Sequence, residues 1–198
     1  FSFLGTALAA LVAGFLALKL TPYLASVYAA LSQFGLIRAG LDAAARRHQL
    51  HVDLRDPSVA HAALDLVNAH TSIARILVYT VLAARFARTG DELDRLLLVY
   101  FLSYYHFPTA TYIQVGRAFH RYHQTDALDQ GEALASHAFG LTIAVLIDAH
   151  VRYNHRSLTV TLIHDDTTFI DYPRELADSI TTYRNVLAAY ARMKLADH

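Results

Sequence analysis

The sequence predicts an all-α protein, with an N-terminal transmembrane helix leading into a bundle of amphipathic helices, some of them candidates for further membrane spans. Three observations carry that expectation. The first 18 residues, FSFLGTALAALVAGFLAL, hold no charge. Hydrophobic residues make up 55% of the chain and charged residues only 17%, against about 25% charged in an average soluble domain. Elsewhere, apolar residues recur mostly at helical spacing, and a clear alternating pattern occurs once.

Phe1 to Leu18 is apolar on every side, as in a buried core helix or a membrane span, and about 20 such residues cross a bilayer. Gly5, Ala9 and Ala13 form a ridge of small residues suited to close helix packing in lipid. Thr21-Pro22 reads as a cap with Pro at the first helical position, or as a kink. Residues 1–40 are therefore expected to be a membrane anchor kinked near Pro22, with Arg38, Arg46 and Arg47 beyond it as contacts for anionic headgroups such as cardiolipin. Residues 41–198 form the expected helical domain. Within it, Asp56-Pro57 opens a helix whose stripe runs through Val59, Ala63, Leu66, His70, Ile73, Leu77 and Val81 and ends at Gly90. Asp91, Glu92 and Asp94 begin the next helix. Residues 96–116, bounded by Arg95 and Arg117, carry no formal charge and are long enough for a second span. Ala133 to Ile147 is shorter and reads as a buried helix. Leu158, Val160 and Leu162 alternate with threonines, a strand-like pattern without a clear partner strand. Asp171 and Pro173 start a last helix with Leu176, Ile180, Tyr183, Leu187 and Tyr190 on one face.

Composition also excludes. The 198 residues form one domain or a small helical assembly. Lys plus Arg and Asp plus Glu are 17 each, and this zero balance argues against a nucleic-acid partner. The absence of cysteine removes disulfides, thiolate metal sites and a Cys nucleophile. No GxGxxG, P-loop or GxSxG pattern is present. Phe1 stands where Met would open a chain, as removal of a targeting peptide or trimming would leave it.

Twelve histidines supply the candidate sites. Two neutral imidazoles reaching into an apolar bundle could ligate haem b, and His106 with His150 is the pair to test; His120 and His137 are a poorer second pair. The run His106, then Gly116-Arg117-Ala118-Phe119-His120, then Asp126 resembles one segment of the haem-bearing large anchor subunit of succinate dehydrogenase. In that family a His precedes a Gly-x-Arg-His signature with a downstream Asp, and the spacing here departs from it on both sides of the Gly. The resemblance implies a haem-binding electron-transfer anchor. His120, His123 and Asp126, at i, i+3 and i+6 of a helix, are weak metal candidates, and His48 with His51 repeats the spacing. Alternatively Arg117, His120, Arg121, Tyr122 and His123 form a polar rim against a partner or lipid. The expectation is therefore a non-catalytic, cofactor-free accessory subunit that anchors a multi-subunit complex. A respiratory-chain complex or the ATP synthase of the mitochondrial inner membrane fits, or a bacterial inner membrane, with membrane lipids and other subunits as partners. The haem anchor is the alternative.

Overall fold

The computed structural model describes residues 3–54, 58–106, 108–129 and 132–196. It corrects the all-α expectation: among the described residues the fold is mixed α/β, 60% helical with two small antiparallel sheets. Helix α1 (Phe3–Ala30) leads to α2 (Gly40–Asp53), strand β1 (Ala60–Leu64), the short α3 (Ala69–Ser72), α4 (Arg75–Thr89) and α5 (Glu92–Tyr105). A hairpin of β2 (Thr109–Val115) and β3 (Ala118–Gln124) follows, then α6 (Ala135–Leu146), β4 (Thr159–Ile163), β5 (Asp166–Asp171) and α7 (Pro173–Val186). Strand order in the three-stranded sheet is β1-β5-β4.

The alternating Leu158–Leu162 run does find a partner. Only His164 and Asp165 separate β4 from β5, with Ile163 opposite Asp166 and Thr159 opposite Ile170. The helical stripe expected from Val59 to Val81 divides in two. Ala60–Leu64 is extended because it pairs with β5, Ala62 opposite Phe169; a paired neighbour outweighs the helical bias of an Ala-rich run. Helical structure resumes at Ala69, and the Asp56-Pro57 start lies outside the described residues. Residues 96–116 are not one helix either. α5 ends at Tyr105 and β2 begins at Thr109, around Pro108, which cannot continue a helical ladder.

α1 runs through Pro22, and Thr21 Oγ1 donates to the Ala17 carbonyl at 2.8 Å. Its two ends differ in environment. Leu20, Leu24 and Tyr28 are fully buried, while Leu8, Leu11, Phe15 and Leu18 are exposed. Among the described residues one helix, Ala7–Ala30, is long and apolar enough to cross a membrane. α1 packs on α5 and α6, and α6 is buried along nearly its whole length.

Local signals were obeyed where no tertiary partner opposed them. Gly90 ends α4 at φ +63° and returns its N–H to Phe86. Asp91 caps α5 by accepting from the Leu93 N–H at 2.8 Å. Pro173 opens α7, which lays Leu176, Tyr183 and Val186 against the sheet and core.

His137 ties α6 to α1 inside the core. Tyr28 Oη lies 2.9 Å from its Nδ1 and Thr21 Oγ1 3.3 Å from its Nε2. Burial lowers its pKa from 6.5 to about 4, so the unfolded chain takes up the proton first as pH falls. Stability is then complete above pH 6.5 and is lost as the medium acidifies from 6.5 to about 4. The loss expected from this group is about 3 kcal/mol. Urea unfolding across that range should show the slope, and His137→Gln should flatten it; an unchanged slope in the variant would reject the assignment.

Candidate functional site

Three carboxylates gather where the β1-β5-β4 sheet runs out. Asp65 follows β1 directly, and since Leu64 pairs with Thr167, the register carries it towards the first residue of β5, Asp166. Asp165 occupies the preceding turn. Asp65 and Asp165 line one recess of about 240 Å³ with Leu66, Asn68, Ala69, His70 and Thr71. Partial burial, then the like charges of Asp165 and Asp65, raise the Asp166 carboxyl above its ordinary range. Among the described residues none of the three carboxylates takes part in an ion pair with Lys, Arg or His. Elsewhere the molecule pairs its acids closely, Arg85 with Asp94 at 2.6 Å and Arg192 with Asp126 at 2.8 Å. Asp65 and Asp166 are exposed and Asp165 half-buried, with His164 offsetting part of the repulsion felt by Asp166, and a cation sharing the site would relieve the rest.

Backbone contacts hold the frame. Asp65 O accepts from Ala196 N–H at 2.9 Å, and Val67 N–H donates to Lys194 O at 3.0 Å, so the C-terminal segment braces the loop after β1. Asn68 lies at φ +50°, and Thr71 Oγ1 donates to its carbonyl at 3.1 Å. His70 stacks on Phe139, centroids 4.4 Å apart; its buried Nε2 has no hydrogen-bond partner among the described residues. Burial lowers its pKa and Asp165 acts in the opposite direction.

Hard carboxylate oxygens suit Mg²⁺ or Mn²⁺. As they stand, no three His, Asp or Glu side chains among the described residues converge as a metal cage. That is compatible with Mg²⁺, which is usually held by one or two carboxylates together with waters and substrate phosphates.

The histidines singled out in the sequence are dispersed. His106 is exposed at the C-terminus of α5. His150 lies in a π-helical turn over Ile147–Arg152 and stacks on Tyr190 at 4.9 Å, lining a cavity to which His106 does not contribute. His120 and His123 lie on the strand β3, not on a helix, so the expected helical spacing with Asp126 is not formed. Asp126 receives the Arg75 N–H at 2.6 Å and Arg192 instead. The Gly116-Arg117 passage likened to the succinate dehydrogenase anchor is the turn of the β2–β3 hairpin, with Gly116 at φ +63°. Of the arginines assigned to lipid, Arg38 and Arg46 are exposed, whereas Arg47 turns inward, donating to Ser32 Oγ at 3.0 Å and lying over the Phe34 ring.

No protein-family model and no curated protein sequence matches the chain. Solved structures do. The apo telomerase of Candida tropicalis truncated from its C-terminal domain superposes with TM-score 0.63 over 89% of this chain, at 8% identity. The telomerase of Candida tropicalis in complex with a TWJ fragment of telomeric RNA gives TM-score 0.64 over 92% at 11% identity. That of Candida albicans, also with a TWJ fragment of telomeric RNA, gives 0.62 over 93% at 10% identity. The fold resembles telomerase. The chain spans 31% to 38% of the length of these telomerase chains.

This likeness overturns the expectation of an accessory subunit anchoring a respiratory complex or the ATP synthase, together with its haem-anchor alternative. It also overturns the exclusion of nucleic acid and the membrane partners put in its place. Zero net charge is an average over the whole surface. Charge arranged at one site does not appear in that sum.

The site itself was missed because the acids are 100 residues apart in the chain. A signal was nonetheless present: Leu162-Ile163-His164-Asp165-Asp166-Thr167-Thr168-Phe169-Ile170 places two acids between two β-prone runs, the composition of a tight hairpin with charge at its tip.

Proposed function

We propose that this chain is the acidic module of a nucleic-acid-bound phosphoryl-transfer enzyme, adding nucleotides to a nucleic-acid end. One observation carries the reading: Asp65 and Asp165 share a recess, beside Asp166, in a fold found in telomerases, two of which are held with telomeric RNA. Carboxylates with divalent cations are the recurrent apparatus of in-line displacement at phosphorus in polymerases. When bound, such ions neutralise the triphosphate and lower the pKa of the attacking hydroxyl.

The protein's share is positional. Asp65, at the end of β1, and Asp165, in the β4–β5 turn, would hold the ions from two sides of the recess. Asp166, raised by its neighbours, opens β5 directly after that turn. Asn68, Ala69, His70 and Thr71 form the wall against which the nucleotide would rest, and His70 is kept in place by Phe139 behind it.

The test is extension of a labelled primer on an RNA template by the full chain, with deoxynucleoside triphosphates and Mg²⁺ or Mn²⁺. Added nucleotides that depend on the metal and on Asp65 support the reading. A folded chain that neither extends primers nor binds Mn²⁺ rejects it.

A further inference from the structure

The turn that carries Asp165 is held from behind by a residue far away in sequence. Gln33 is fully buried, and its side-chain amide grips both backbone polar groups of one residue, His164. Its Oε1 accepts from the His164 N–H at 3.0 Å and from the Gly35 N–H at 3.2 Å, while its Nε2 donates to the His164 carbonyl at 3.2 Å. The flanking backbone joins in parallel fashion, Leu162 N–H donating to Ser32 O at 2.8 Å and Phe34 N–H to Leu162 O at 2.7 Å. At Gly35 the approach is so close that a Cβ would meet the His164 nitrogen at 2.6 Å. His164 needs such support. It sits at φ +56°, a left-handed conformation disfavoured for any residue with a side chain.

We infer that Gln33 is the positioning residue of the acidic site, holding the His164-Asp165 turn in the conformation that aims Asp165 into the recess. The inference rests on the reading of the carboxylates proposed above. Gln33 touches neither the recess nor its contents. It acts through the backbone N–H and carbonyl of His164, with both acceptor and donor of the amide used, so that no aliphatic residue of similar size can replace it. Groups standing behind metal-binding side chains set ligand direction, and their loss typically costs ten- to a hundredfold in affinity.

The experiment is a Mn²⁺ titration of the full chain, with free ion read by electron paramagnetic resonance. Wild type, Gln33→Ala, Gln33→Glu and Asp165→Asn are compared, each checked by circular dichroism and thermal melting. Gln33→Ala is expected to bind Mn²⁺ about tenfold more weakly while amide exchange at His164 accelerates. Gln33→Glu keeps the acceptor oxygen for both amides and should fall between it and wild type; it decides the matter if Gln33→Ala does not fold. Wild-type binding lost in Asp165→Asn but unchanged in folded Gln33 variants would overturn the role of Gln33 and leave the carboxylate site standing. A wild-type chain that binds no Mn²⁺ would overturn both.

Discussion

Replacing Asp165 by Asn is expected to remove nucleotide addition while leaving the fold intact. The substitution conserves shape but deletes one of the two carboxylates lining the recess. A neutral amide cannot replace the charge of a ligand to a divalent cation. The expected fall in rate is at least about a hundredfold, since disturbing only the groups behind metal ligands already costs ten- to a hundredfold. Folding should not suffer, because Asp165 is one of the charges that raise Asp166 and its removal relieves that repulsion. Asp65→Asn should behave alike. Primer-extension rates beside melting curves test both. A folded Asp165→Asn chain that extends primers at the wild-type rate would refute the assignment.

The largest stability effect is expected at Asp94, in the first turn of α5. It is 2% exposed and accepts from Arg85 Nε at 2.6 Å, Thr89 Oγ1 at 2.6 Å and Tyr23 Oη at 3.0 Å. These contacts tie α1, α4 and α5 together, and Arg85 is itself buried, with its guanidinium over the Tyr23 ring. Asp94→Asn leaves a buried cation without its counter-charge, a loss of about 3–5 kcal/mol. In a domain of this size the melting temperature should fall by about 6–20 °C. The exposed Glu92–Arg95 pair on the same helix should change it little when broken. Replacing both buried partners, Arg85→Met with Asp94→Leu, should recover much of the loss, because the cost lies in the orphaned charge. A wild-type melting curve for Asp94→Asn would contradict this account.

Legibility in the sequence followed the range of the forces involved. The caps at Asp91 and Pro173 and the stop at Gly90 could be read directly, since each depends on neighbours within a few residues. So could the burial of α6, whose apolar run leaves no wet face. β2 was hidden in an uncharged stretch long enough to pass for a span, though Pro108 and Gly116 marked its limits. β1 carried no local mark: Ala-His-Ala-Ala-Leu favours a helix until β5 offers its backbone.

Composition and spacing alone determined that this chain would build a large apolar interior and where several of its helices would begin and end; they left Leu158–Leu162 open between an extended arm and a continued helix, which pairing with β5 decided. Only the tertiary structure decided what those parts make. Asp65 lies 100 residues from Asp165, and Gln33 lies 131 from the turn it holds. A sheet edge brings such residues together through backbone pairing, and no period or motif in a linear chain records which strand will accept which.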